Sequence, residues 1–367
     1  MGSGSRFLLK VSRLLLALAA LGPLGSFLAC SRQGRGDASP HVPPGGVLLQ
    51  GAGATFPSPL YQKWFAAYQH AHLQTVITYG AVGSGEGIRR FIGLNVPNDD
   101  KVDFGASDAA LQDNEISQVP DGVVMVPVTA GGVVLGYNLP GVTQDLKLSR
   151  KAYAGIFLGE VKNWNDPLIA AANPGVKLPK LTIVTVVRQD ASGTTFAFTK
   201  HLDAISEKWR SLHGASTLVD WPENAMRAKG NEGVAGLLQQ SVGGLAYVGS
   251  EFAHKYGLRA ALLENKDGMF VEPNEESIRA ALASAQMPEN LRVYAPDPSG
   301  PEAYPIATFT WILLRKNYAD PAKAKAIRDL FAWGLGDGQH YASGLGYVPL
   351  PPEVVEKAQA ALQTVKP

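Results

Sequence analysis

Cysteine is nearly absent: Cys30 is the only one in 367 residues, so no intrachain disulfide can form and the fold must rest on its core. An excess of charge of either sign is lacking too. Lys and Arg number 33 against 32 Asp and Glu, a formal +1, so no basic field suggests nucleic acid as a partner. The His residues at 41, 70, 72, 201, 213, 254 and 340 include no H-E-x-x-H and no Cys/His ligand spacing, which argues against a zinc site. G-x-x-x-x-G-K-[ST] is missing, which removes the nucleotide P-loop. No metal and no cofactor is expected.

An apolar run flanked by basic residues stands at the start. There Arg6, Lys10 and Arg13 precede LLLALAALGPLGSFLA (14–29), and Cys30 follows. A basic segment, an apolar run and small residues predict a signal peptide over 1–29. Pro23 and the glycines argue against a stable membrane span. The position of Cys30 after SFLA resembles a bacterial lipoprotein cleavage site, where the thiol takes a diacylglycerol and anchors the protein to a membrane. Phe27 stands where such sites usually carry Leu, and ordinary secretion with a free thiol is the alternative. Removal of 1–29 takes away three cations and no acid, so the formal charge falls from +1 to −2. A bound anion would then have to be held by local geometry.

What remains is globular in composition, 46% apolar and 18% charged, and long enough for two cores. Residues 30–45 lack any apolar period and read as a flexible tether. Strand patterns follow at 46–50, 75–80, 102–108, 122–138, 181–187, 243–249 and 306–315. Helical patterns fall between and after them, at 57–72, 87–94, 150–159, 195–202, 232–241, 321–335 and 351–365. The alternation predicts an α/β fold with mostly parallel sheets, in which ligands sit beyond the carboxyl ends of strands. Trp64, Trp164, Trp221 and Trp311 are expected to pack in cores rather than to form a stacking platform.

Three strand-to-helix turns and one strand end carry unusual residues. In QGAGATFPSPLY (50–61), Thr55 is placed to cap the next helix, and Thr55 and Phe56 offer N–H or hydroxyl donors to an anion. A dinucleotide site begins similarly, but Phe56 takes the place of its third glycine and TVITYG ends with no acid for a ribose. In YGAVGSGEGIRRF (79–91), Ser84 lies between glycines just before a helix. Glu86 would repel an anion it faced, unless it complements the helix dipole from the solvent side.

In DFGASDAAL (103–111), Asp108 ends a strand. An ionised Asp accepts hydrogen bonds and cannot donate them, so it would admit a protonated oxyanion such as hydrogen phosphate and repel sulfate. The plainer role is a helix N-cap. The third turn is RQDASGTTF (188–196). Arg188 supplies a fixed planar cation, Asp190 can hold its fork, and Ser192, Gly193 and Thr194 add donors at a helix start. Thr55, Phe56, Ser84, Asp108, Arg188, Ser192, Gly193 and Thr194 together make a candidate cage for a small tetrahedral anion.

GAGATFPSPLYQKW, VGSGEGI, DFGASDAAL, NPGVKLP, VVRQDASGTTFAF and KGNEGVAG resemble, in order and over nearly the whole chain past the tether, the periplasmic phosphate-binding protein of bacterial phosphate-specific ABC transporters. The resemblance implies a two-lobed type II periplasmic-binding fold, with two mixed sheets flanked by helices and a double-crossover hinge. Crossings near residues 136–138 and 304–306 would make lobe I from 46–136 and 306–367 and lobe II from 137–305. It implies that all eight cage residues contact phosphate, that Asp108 accepts the phosphate proton, and that Asp190 pairs with Arg188. Its partners would be inorganic phosphate and the permease subunits of an importer with its ATPase. A monomer in the periplasm or cell envelope, lipid-anchored through Cys30, is implied, and no enzyme. Gly85 and Glu86 depart from relatives, which often carry Ser and Gly there, and GLNVPNDDKVDFG (93–105) lengthens a loop.

Two alternatives remain at this point. A secreted phosphatase-like hydrolase would need a bimetal cluster or an activated serine, and neither Ser84 nor Ser192 has a His nearby in sequence. A binding protein for another oxyanion, such as molybdate or sulfate, would have no use for Asp108, because neither anion brings a proton at neutral pH.

Overall fold

The β-branched runs form strands and the amphipathic runs form helices, in alternation. Residues 40–367 are described in this computed structural model; the expected signal peptide, Cys30 and the tether up to residue 39 lie outside them. The strands are β1 (Val47–Gly53), β2 (Thr75–Ala81), β3 (Phe104–Ser107), β4 (Val123–Asn138), β5 (Lys147–Leu148), β6 (Val184–Arg188), β7 (Met226–Ala228), β8 (Gly244–Gly249), β9 (Arg259–Ala260), β10 (Leu262–Glu264), β11 (Phe270–Val271) and β12 (Ala307–Arg315). Helices fill the intervals. They are α1 (Ser58–Ala71), α2 (Ser84–Ile92), α3 (Asp113–Ile116), α4 (Arg150–Phe157), α5 (Pro167–Ala170), α6 (Gly193–Ile205), α7 (Glu207–Leu212), α8 (Gly230–Gln240), α9 (Ser250–Lys255), α10 (Glu275–Ala283), α11 (Pro321–Leu335) and α12 (Pro352–Leu362). Among the described residues no helix is long and apolar enough to cross a membrane.

Nine strands form one sheet, eight of them in the order β2-β1-β3-β12-β4-β8-β6-β7 and the ninth, β9, paired with β4 off that path; β11-β10-β5 is separate. Strand β4 belongs to both halves of that path. Its residues up to Gly132 pair with β12, and from Val133 onward they pair with β8. Strand β12 begins beside that switch, with Ala307 opposite Gly132 and Val133 N–H donating to the Ile306 carbonyl at 2.9 Å. Both strands are buried along almost their whole length, which explains why they read as continuous apolar runs rather than as alternating ones.

The expectation of mostly parallel sheets needs correction, since five of the ten strand pairings are antiparallel. The β-α-β units at each end are parallel, but β4 and β12 run against their neighbours, and an alternating pattern along the chain does not reveal direction. Helix starts follow their chemistry. Pro321 opens α11, where Asp320 accepts from Ala322 N–H at 2.8 Å, and buried Val354, Ala358 and Leu362 put one stripe of α12 on the core. The four tryptophans expected in the core are there, at most 4% exposed.

Candidate functional site

Strands β2, β1 and β3 are parallel neighbours, so the loops beyond their carboxyl ends lie side by side. Those loops carry Ser84, Thr55 with Phe56, and Asp108. Parallel β6 delivers Arg188 at its own carboxyl end, and α6 starts directly after. The fold brings all eight expected residues together, and every one is buried.

Close approach of the two groups depends on glycine. A Cβ at Gly193 would stand 2.6 Å from the Asp108 Cβ and 2.7 Å from Ser84 Oγ. Gly83, with φ near +99°, leaves no room either: its Cβ would meet Asp190 Oδ2 at 2.3 Å. The start of α6 therefore abuts the second and third loops. Gly85 N–H also donates across the same seam to the Ala191 carbonyl, at 3.0 Å.

Arg188 is 2% exposed. Its Nε donates to Asp190 Oδ1 at 2.9 Å and its Nη2 donates to Asp190 Oδ2. Gly230 N–H donates to the same Oδ1 at 3.0 Å. Burial works to raise the Asp190 pKa, but the Arg188 guanidinium outweighs it and holds the carboxyl below its usual value. The remaining fork of Arg188, Nη1, is buried and has no acceptor among the described residues. A guanidinium N–H pair left without an acceptor in a buried site is costly, so its presence points to an anionic partner.

The helix start adds more donors. Ser192 caps α6 by accepting from Thr195 N–H at 3.1 Å, and Phe196 N–H donates to the Ser192 carbonyl at 3.0 Å. The N–H groups of Gly193 and Thr194 take no acceptor among the described residues, as is usual for a helix's first turn, and they form the positive end of its dipole.

Asp108 does not cap a helix. Strand β3 ends at Ser107, and the next helix, α3, starts at Asp113 with Gln112 as its cap. Asp108 Oδ1 instead accepts the Thr310 hydroxyl at 2.8 Å. Burial pushes its pKa up to about 7, although the Thr310 hydrogen bond and the Arg188 charge pull the other way. Thr55, expected to cap α1, does not: Pro57 stands at that position without a side-chain bond. The Thr55 hydroxyl is occupied elsewhere, accepting from Asn231 N–H and from Asn231 Nδ2, both at 3.1 Å. Phe56 turns its ring into the core, edge-on to Tyr347, so only its backbone is available to a ligand.

Glu86 faces away from the cage. It bridges Arg89 and Arg90 at 2.7 Å each, and the Arg89 hydrogen bond, with that from Arg90, lowers its pKa to about 2 against the opposing effect of burial. It lines an outer cleft of about 670 Å³ together with Arg90, Lys229 and Glu232, which reaches the cage only at Thr55 and Asp190. Three supporting residues escaped the sequence reading: Asn231, Thr310 and Tyr247. Tyr247 OH accepts from Arg188 N–H at 3.1 Å and shares a 2.8 Å bond with Thr195 Oγ1, which fixes the end of β6 to the start of α6. Asn231 lay within the quoted KGNEGVAG without a role.

Comparison with known proteins gives a concordant result. The profile of the PBP superfamily domain matches residues 33–337. The phosphate-binding protein PstS of Pasteurella multocida is 38% identical, over 86% of this chain and 90% of its own length. The phosphate-binding protein PstS of Methanocaldococcus jannaschii is 35% identical over 97% and 96%. Among solved structures, a phosphate-binding protein from Stenotrophomonas maltophilia superposes with a TM-score of 0.69 at 19% identity, covering 86% of this chain and 94% of that one. This last likeness speaks to fold alone.

Proposed function

The chain belongs to the PstS family of phosphate-binding proteins within the PBP superfamily, and from that premise we propose that its buried cage binds one inorganic phosphate for delivery to an ABC-type importer. The chain has the two-lobed α/β fold of periplasmic binding proteins, as the sequence led one to expect. The reading rests on one observation above the rest: among the described residues Arg188 Nη1 is buried and has no acceptor, beside the Gly193 and Thr194 N–H groups that likewise have none there, and within reach of the Asp108 charge.

In this reading Thr55, Phe56, Ser84, Ser192, Gly193 and Thr194 supply neutral donors, Arg188 the single cation, and Asp108 the one acceptor. Neutral donors and one guanidinium can replace the water shell of a dianion without making the lobe strongly positive. Asp190 keeps the guanidinium fork oriented. Lobes of 46–136 with 306–367, and of 137–305, close about the β4 and β12 crossings, so the bound and empty proteins offer a permease different shapes. The protein works as a periplasmic monomer anchored through a lipidated Cys30.

Hydrolysis is not favoured. Both ring nitrogens of His201 are engaged, by Tyr153 OH at 2.8 Å and by the Pro296 carbonyl at 2.6 Å, and neither pairs with a cage serine. Among the described residues no cluster of three or more His, Cys, Asp or Glu could hold a metal. Calorimetric titration of the mature chain with phosphate, sulfate and arsenate, alongside an aryl phosphate turnover assay, tests the reading. Tight phosphate binding without turnover is the expected result. Turnover, or sulfate bound as tightly as phosphate at pH 8, overturns it.

A further inference from the structure

Asn231, the second residue of α8, is 1% exposed and is not one of the eight cage residues. Its amide orientation is dictated by its neighbours. Gly249 N–H is an obligatory donor, and it meets Asn231 Oδ1 at 3.0 Å. The amide NH2 must therefore face the other way, where Nδ2 lies 3.1 Å from Thr55 Oγ1 and 3.0 Å from Thr194 Oγ1. An amide NH2 only donates, so both hydroxyl oxygens accept from it.

This fixes the hydrogen of one cage hydroxyl and constrains that of a second. Thr55 Oγ1 accepts from Asn231 Nδ2 and from the Asn231 backbone N–H. With both lone pairs taken, the Thr55 hydroxyl can act toward anything else only as a donor. Thr194 Oγ1, with one lone pair taken, is biased the same way. The other two cage hydroxyls are treated alike by backbone groups: Ser84 Oγ accepts from Asp108 N–H at 3.3 Å and Ser192 Oγ accepts from Thr195 N–H at 3.1 Å.

We propose that Asn231 is a positioning residue that fixes the Thr55 and Thr194 hydroxyls, one from each side of the cage, as donors to the anion. The inference rests on the phosphate reading above and deepens it. Because hydroxyl hydrogens point inward, an oxyanion finds only donors on those faces, and its one proton is directed to Asp108. A ligand that presents a second O–H there meets a donor and is disfavoured. The same amide links the two sides: Thr194 lies in the lobe of Asn231 and stays oriented, whereas the Thr55 hydroxyl is oriented only when the sides are together.

Asn231→Asp tests this. The aspartate can still accept from Gly249 N–H, but its second oxygen accepts as well, which draws both hydroxyl hydrogens away from the anion. Phosphate is titrated calorimetrically into wild type, Asn231→Asp, Thr194→Val and the double variant, with melting curves to establish folding. The expected loss of affinity is at least 30-fold for Asn231→Asp. Thr194→Val should cost at least tenfold in wild type and less than twofold in the Asn231→Asp background, because there its hydroxyl no longer serves the anion. An added negative charge by itself would leave the Thr194→Val loss intact in both backgrounds, and that additivity overturns the proposal. Affinity within threefold of wild type for Asn231→Asp overturns it too. Should Asn231→Asp fail to fold, Asn231→Ala replaces it in the same cycle, where non-additivity with Thr194→Val of at least threefold is expected and additivity refutes. Wild type that does not bind phosphate would sink the phosphate reading itself, whereas binding with an additive cycle would sink only the role of Asn231.

Discussion

The two sides of the cage are built differently. One draws on three separate loops, at Thr55–Phe56, Ser84 and Asp108, and carries no cation. The other comes from residues 188–194 alone and carries the guanidinium, its Asp190 partner and a helix start. Charge is thus concentrated on one side, while the acid able to interrogate a ligand's proton sits on the opposite one. The division suggests that affinity and discrimination can be damaged separately, which a site with mixed charges on both sides would not permit.

The largest effect is expected from the charged side. Arg188→Lys keeps the positive charge but loses the planar fork, so the ammonium cannot satisfy Asp190 and the anion together. Truncating a partner of a buried, hydrogen-bonded charge pair costs several kcal/mol. Phosphate affinity should drop by ~10³-fold, about 4 kcal/mol, while the preference for phosphate over sulfate stays in place. Titration with both anions reads this directly. A variant that lost selectivity along with affinity would erase the proposed division.

The same contrast explains what the sequence disclosed. The charged side was legible because its residues are contiguous: a strand, a cation, an acid, small donors, then a helix. The three-loop side was legible only in part, since each loop by itself admits a structural role, and two of those roles, capping by Thr55 and by Asp108, turned out not to be used. The neighbours that complete the cage act over long separations. Asn231 reaches Thr55 across 176 positions and Thr310 reaches Asp108 across 202, and no local pattern encodes such pairs. Thr310 moreover sits where β12 shifts register against β4, an irregularity of the kind that re-aims side chains. Strand direction at β4 and β12 was hidden for the same reason.

A middling effect, but a more telling one, is expected from Asp108→Asn. Burial holds the Asp108 pKa at about 7, so below that pH a neutral carboxyl can donate to sulfate, and above it a carboxylate repels sulfate. Selectivity for phosphate over sulfate should therefore rise with pH through about 7 in wild type. In Asp108→Asn, whose amide donates at every pH, it should be low and flat, a change of about 2 kcal/mol at pH 8. Competition titrations at pH 5.5 and 8 provide the check.

The same residue leaves a trace in the ligand-free protein. With a folded value of about 7 against an unfolded value of roughly 3.9, folded chains hold a proton that unfolded chains release, so the Asp108 contribution to stability falls as pH rises across that window. His201, which burial lowers to about 4, contributes the opposite slope up to its unfolded value of about 6.5. Glu251, raised by burial with the Asp108 charge adding to it, has the same sign as Asp108. His201 is unaffected by the change, so the difference between the two proteins reports on Asp108 together with its charge coupling to Glu251. Relative to wild type, Asp108→Asn should gain on the order of 2–4 kcal/mol of stability between pH 5 and pH 8. A stability difference that stays the same at both pH values would remove the burial argument and, with it, the pH-dependent selectivity.

The smallest effect should come from a single neutral donor on the charged side. Ser192→Ala removes one hydroxyl from the cage and the cap of α6. Losing one hydrogen bond to a charged ligand costs about 1.5–3 kcal/mol at most, and neighbouring N–H groups of Gly193 and Thr194 remain to share the anion. Affinity should fall by roughly tenfold and stability by about 1 kcal/mol through the lost cap, with selectivity against sulfate unchanged. The order matters more than the figures. If Ser192→Ala weakened phosphate binding as much as Arg188→Lys, the guanidinium would not be the centre of the charged side, and the hydroxyl and amide donors at the start of α6 would carry the affinity instead.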